Sequence, residues 1–347
     1  MTHPSWPKTL LRPLLKTRLK PRHQGKPAPS KGFTLIELLV TVVVGSIIVA
    51  GLLYLVVELL QVNRREEVLT QTQQDTQRAL DYITSDLREA VYVYANPNDV
   101  IGADKVNNLP PFGDNTRPIL AFWRLDPVEP DNTAFWNKNC ETDFPGATNP
   151  KQSECDTLKI RQSFYTLVIY LQQNNGTTDP WGGQSRIIRY ELPKYSASNV
   201  ATLTPRRGYW DPTATGNSFK DWKRATAPVA GQNLVTGDTA GTSAVLADYV
   251  DTLGNSTATA PTCPTGYTAS PPTSNTFYAC VSNAATTTTP GQTNQTDQGV
   301  NQTVQVFLRG NATANRPGLI TTYSEAGRTP TLRAEVLIRG VLDKAGT

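Results

Sequence analysis

From Leu38 to Val57 the chain runs for 20 residues without a charged side chain. At 1.5 Å of rise per residue such a helix is about 30 Å long, enough to cross the hydrocarbon of a bilayer. The run opens on Gly32-Phe33-Thr34-Leu35-Ile36-Glu37, so that a single carboxylate stands at the head of an otherwise apolar span. A carboxylate costs about 2.5–3.5 kcal/mol if it is carried to the bilayer centre. Glu37 therefore either lies at the membrane interface, where the cost is small, or acquires a cationic partner.

The flanks orient the span. Residues 1–32 hold eight basic residues (Lys8, Arg12, Lys16, Arg18, Lys20, Arg22, Lys26 and Lys31), no acid and six prolines that break any helix. Beyond the span Arg64 and Arg65 are followed at once by Glu66 and Glu67. The positive-inside rule then puts the N-terminus in the cytoplasm and the C-terminal part outside it. Without residues 1–32 the formal net charge falls from +4 to −4, so the remainder carries no general basic signal and nucleic acid is not an expected partner. An ordinary secretory signal fits poorly, because its apolar core would be shorter and would lead to a small-residue cleavage site.

Gly32-Phe33-Thr34-Leu35-Ile36-Glu37, with Lys31 before it and the uncharged run behind it, resembles the prepilin cleavage motif of type IV pilins and type II secretion pseudopilins. The resemblance implies cleavage by prepilin peptidase between Gly32 and Phe33, with Gly32 offering an unhindered backbone, and N-methylation of the new terminus at Phe33. It also implies that Glu37, the fifth residue of the processed chain, pairs with the terminal amine of a neighbouring subunit during assembly. An ammonium partner resolves the cost of a carboxylate in apolar surroundings. Major type IV pilins usually carry a proline where this chain has Tyr54, and the processed chain would be long, 315 residues, which suits a minor subunit.

The expected fold is α+β and pilin-like: a long N-terminal helix packed on an antiparallel β-sheet with large loop insertions. Four regions are expected: a basic leader at 1–32, the membrane half of the helix at 33–62, its amphipathic half at 63–95 and an exported β-rich domain at 96–347. The amphipathic half is read from Leu69, Thr76, Leu80, Ile83, Leu87, Val91 and Tyr94, which recur mostly three, four or seven apart. Asn96-Pro97-Asn98 would end it. Runs rich in β-branched and aromatic residues at 119–125, 165–171, 186–192, 303–309 and 333–339 read as strands. Residues 252–302 are dominated by Thr, Asn, Ala, Ser, Gly, Pro and Gln, and read as a surface insertion.

Cys140, Cys155, Cys263 and Cys280 all lie on the outward side of the span. An even count in an oxidising compartment suggests two disulfides, and of the three connectivities local pairing, Cys140 to Cys155 and Cys263 to Cys280, is favoured. A zinc site competes, yet there is no C-x-x-C, and both histidines, His3 and His23, lie in the leader. Beyond residue 32 there is no histidine, which removes Ser-His and Cys-His nucleophilic catalysis, and no phosphate-cradling glycine loop is present. No enzyme activity, metal or cofactor is expected.

Within the family, Arg64-Arg65-Glu66-Glu67 and the run from Gln77 to Tyr92 are similar to the long helix of the pseudopilin J and minor pilin W group. Ile119-Leu120-Ala121-Phe122-Trp123 and Ser185-Arg186-Ile187-Ile188-Arg189-Tyr190-Glu191 resemble the C-type pseudopilins of cyanobacterial hormogonium polysaccharide secretion. These resemblances imply a minor subunit assembled into, or priming, a filament that serves secretion or surface motility. The implied partners are other pilin or pseudopilin subunits, prepilin peptidase, the inner membrane and an exported polysaccharide. The implied location is the bacterial inner membrane, with a periplasmic C-terminal domain, and then the filament. The alternative is a filament-borne adhesin whose Trp123, Trp136, Trp181, Trp210 and Trp222 contact carbohydrate. Aromatic residues in a sheet are more often core than sugar platforms.

Overall fold

A computed structural model describes residues 32–109, 115–146, 148–176, 178–253, 261–282, 302–312 and 328–338. The leader at 1–31 lies outside the described residues. The chain divides into two units, Met1–Leu59 and Leu60–Thr347.

One helix, α1 (Leu35–Arg88), begins in the first unit and ends in the second. Within the first unit its large apolar side chains are all exposed, and its most apolar stretch, of mean hydropathy 2.7, is unburied. The Thr41 and Ser46 hydroxyls on this stretch turn back on the helix, Thr41 donating to Leu38 O at 2.8 Å and Ser46 to Val43 O at 2.7 Å. The exposed surface of this stretch is thus apolar apart from the Tyr54 hydroxyl, and the two short hydroxyls are satisfied within the helix.

In the second unit α1 changes character. Thr72, Thr76, Ala79, Leu80, Ile83, Thr84, Asp86 and Leu87 are buried, the three-and-four spacing of a single packed face. The helix then stops at Arg88 rather than continuing to Ala95, and Ala90–Val93 form a strand, β1. Leu87, Val91 and Tyr94 fit a helical stripe by spacing, but Ala90 and Val93 enter the cluster under the helix while Val91 and Tyr94 enter the cluster on the opposite face. Pairing of Ala90, Tyr92 and Val93 with Arg124, Trp123 and Phe122 satisfies the backbone of these β-branched and aromatic residues in extended form.

The strands make two antiparallel sheets where sequence suggested one. The first has the order β1, β2 (Thr116–Pro127), β3 (Ser163–Asn174), β4 (Ser185–Pro193), β5 (Thr242–Val250). The second has the order β6 (Tyr267–Ser270), β7 (Phe277–Ser282), β8 (Gln302–Leu308), β9 (Leu332–Ile338). Central β3 is buried on both faces: Val168 and Tyr170 join α1 and the second sheet, while Leu167, Ile169 and Leu171 join Trp123, Tyr209, Phe219 and Trp222. Burial on both sides explains why this strand reads as a continuous apolar run rather than an alternating one.

The expected insertion at 252–302 is corrected in its middle. Residues 261–282 supply β6 and β7, with Phe277, Ala279 and Val281 in the same core cluster as Leu80, Ile83 and Leu87 of α1. Residues 254–260 and 283–301 lie outside the described residues. Where the two sheets meet, the Gln302 side chain acts as a short strand. Val93 N–H donates to its Oε1 and its Nε2 donates to Val93 O, both at 3.0 Å, which closes the outer edge of β1. Gly310 lies against α1 so closely that a Cβ there would stand 2.5 Å from Thr76 Oγ1 and 3.0 Å from Thr72 Cγ2.

After a one-turn helix α2 (Thr133–Trp136), Cys140 and Cys155, in short α3 (Cys140–Asp143) and in α4 (Pro150–Arg161), are at disulfide distance, as are Cys263 and Cys280, with 5.6 Å between the Cα atoms of each pair. The second pair ties the segment before β6 to the middle of β7.

Candidate functional site at the head of the apolar helix

The local chemistry of residues 32–38 is that of a helix start. Thr34 precedes α1, and Glu37 N–H donates both to Thr34 O at 3.0 Å and to its hydroxyl at 3.3 Å, while Leu38 N–H donates to Thr34 O at 3.2 Å. Thr34 and Glu37 have the spacing of a capping box, in which the first hydroxyl takes the third residue's N–H. Glu37 also stands in the first turn, where the helix dipole favours a negative charge. Sequence reading did not single out Thr34, although a threonine three residues before a glutamate, just ahead of an apolar run, is a recognisable signature.

Gly32 and Phe33 are exposed, Phe33 at 80 %. Among the described residues nothing lies within 4 Å of where a Cβ on Gly32 would stand, so packing among them does not require a glycine there. Glu37, in the first turn of α1, is exposed as well. The peptide joining Gly32 to Phe33 is therefore accessible and ends at a rigid helix start, while the carboxylate lies one turn further along.

The second cluster of charge sits at the other end of α1. Asp86, on the last turn, accepts from Arg124 Nη1 at 2.8 Å, Arg189 Nε at 2.7 Å and Tyr170 OH at 2.6 Å. These partners come from β2, β4 and β3, so one carboxylate fixes the helix end over three strands. Burial, reinforced by the charge and hydrogen bond of Asp86, pushes the Tyr170 hydroxyl far above its ordinary range, and it stays a donor. Asp126, which accepts from Thr166 Oγ1 at 2.6 Å, is raised above the ordinary carboxylate value, chiefly by burial. This arrangement is a structural anchor on its geometry, because every carboxylate and guanidinium in it faces an opposite charge or a donor.

Among the tryptophans considered for carbohydrate contact, Trp123 and Trp222 are fully buried and cannot meet a ligand. Trp136 and Trp210 are half-buried, and Trp181 is exposed, with the Arg186 guanidinium over its ring at 5.9 Å. The five do not assemble into a platform.

Residues 28–53 match the family described as the prokaryotic N-terminal methylation motif. This match indicates a subunit of the type IV pilin or pseudopilin type, and with the apolar N-terminal helix it fits a single-pass inner-membrane anchor. Proteins with this motif are structural rather than enzymatic, assemble with other pilin subunits and are processed by prepilin peptidase. No curated protein and no solved structure matches the chain.

Proposed function

We propose that this chain is a minor pseudopilin of the J and W type, cut between Gly32 and Phe33, methylated at Phe33, and assembled into or priming a filament that serves secretion of polysaccharide or protein and surface motility. The observation that carries the reading is the pairing of an exposed Gly32-Phe33 junction with a lone first-turn carboxylate, Glu37, at the head of a helix that is bare along its apolar half and packed along its polar half. A bare apolar helix is at home in lipid before assembly and among other such helices afterwards. On assembly the Glu37 carboxylate is stabilised by the ammonium of a neighbouring subunit's Phe33. The C-terminal domain would be periplasmic, and exported polysaccharide would be its cargo.

Complementation of a strain lacking the chain tests the role of Glu37. Glu37→Ala makes the span more apolar, so insertion and cleavage are expected to survive while filament incorporation and secretion fail. Glu58→Ala, beyond the uncharged run and able to reach water, is expected to be nearly silent. Two equally mild variants would place Glu37 at a simple interface and remove the pairing mechanism.

A further inference from the structure

Lys194, just after β4, is held between two carboxylates from different parts of the chain: Glu154 Oε1 of α4 at 2.6 Å and Asp211 Oδ2 of the following loop at 2.9 Å. The three side chains are only 15–18 % exposed. Each carboxylate has its second role already fixed. Asp211 Oδ1, the oxygen turned from the lysine, accepts from Thr213 N–H at 2.9 Å and from Thr213 Oγ1 at 2.7 Å. Glu154 is steadied by the Tyr195 hydroxyl on Oε1 and by Asn233 Nδ2 on Oε2 at 3.3 Å.

We infer that Lys194 and Asp211 form an intramolecular amide cross-link, with Glu154 relaying the protons. The parts needed for acyl transfer are in place. Lys194 Nζ is the nucleophile, Asp211 Cγ the electrophile, and the two donors of Thr213 on Oδ1 stabilise the oxyanion that forms as nitrogen adds. Oδ2 is the leaving oxygen. An ammonium and a carboxylate become an amide and one water: the N–C bond forms, the C–Oδ2 bond breaks, and the two protons lost by nitrogen leave with Oδ2. Glu154 takes the two protons from Nζ in turn, the first to free its lone pair and the second after nitrogen has added, and passes each to Oδ2, ending in its starting state. No oxidant or external reactant is required.

Two physical arguments bear on the reaction. Burial alone would push Lys194 down and Asp211 up in pKa, and their mutual attraction, with Glu154 and Thr213 assisting, reverses both, holding Lys194 above and Asp211 below their usual values. The resting pair is thus ionic, so Lys194 must give up a proton before it can attack, and that is the step Glu154 serves. Contact distance also supplies the high effective molarity that lets a condensation unfavourable in bulk water proceed inside a fold. The link would join β4 to a stretch, 203–241, that is without regular secondary structure yet sends Tyr209, Phe219 and Trp222 into the core.

The test is peptide mapping by tandem mass spectrometry of the full-length chain, extracted in detergent and reduced so that disulfides do not contribute. The wild type is expected to lose one water and to give a branched tryptic peptide joining Lys194 to Asp211, with no cleavage after Lys194. Lys194→Arg keeps the positive charge and both ion pairs but forms no such amide, so it should fold and show the full mass. Glu154→Gln leaves nucleophile and electrophile in place and should also show the full mass. A wild-type digest with cleavage after Lys194 and only linear peptides would overturn the inference and leave an ion-pair hub. A linked Glu154→Gln variant would overturn the relay.

Discussion

Replacing Asp86 by Ala should unfasten α1 from the first sheet. The carboxylate is 6 % exposed, and its partners Arg124 and Arg189 are 17 % and 11 % exposed, so the pairs lie out of water. Removing one member of a buried ion pair costs about 3–5 kcal/mol, most of it from the charge left behind. Here the lower end applies, because Arg124 keeps Asp126 at 2.9 Å and Glu89 at 3.4 Å, and Arg189 keeps Glu191. The Tyr170 hydroxyl loses its acceptor, adding about 1 kcal/mol. The expected loss is about 3–4 kcal/mol. Urea unfolding of the detergent-extracted chain, followed by the fluorescence of buried Trp123 and Trp222, measures it. Arg78→Ala serves as the control, because its pair with Asp75 is 77 % and 42 % exposed and should be worth at most about 0.5 kcal/mol. An Asp86→Ala chain less than about 1 kcal/mol weaker than wild type would refute the anchoring argument, since that is the scale of an ordinary substitution.

Both cysteine pairs are expected to be oxidised in freshly isolated, alkylated protein. With separations of 15 and 17 residues each bond is worth roughly 3 kcal/mol in the chain-entropy model, and free thiols would contradict the pairing. Gly310→Ala should cost about 1–3 kcal/mol in the same urea assay, because the added carbon meets Thr76 and Thr72 of a packed helix rather than open space. An unchanged midpoint would mean that the segment yields.

What the sequence made legible follows the range of the interactions. The apolar run after Glu37 depends on neighbours within one turn and reads directly, whereas the cap at Thr34, equally local, was passed over. The stripe of Leu80, Ile83 and Leu87 also needed only helical periodicity. Val91 and Tyr94 continued that periodicity and misled it, because pairing with β2, some thirty residues away, decides their conformation. Strands β6 and β7 were hidden by Thr- and Ser-rich surroundings, although Phe277, Ala279 and Val281 alternate as a half-buried strand does. Strand β5 carries a mostly half-buried pattern and so shows little contrast between faces. The Asp86 anchor joins residues 38 and 103 positions apart, and the Glu154, Lys194 and Asp211 cluster joins three separate elements. Charged residues scattered in this way look like solvated surface until the fold brings them together.

Mass spectrometry of the N-terminus of the chain isolated from membranes tests the central claim most directly. The exposed Gly32-Phe33 junction ahead of a capped, apolar helix predicts material that begins at Phe33 and carries a methyl group on its amine. Material that still begins upstream of Lys31 would contradict the filament-subunit account.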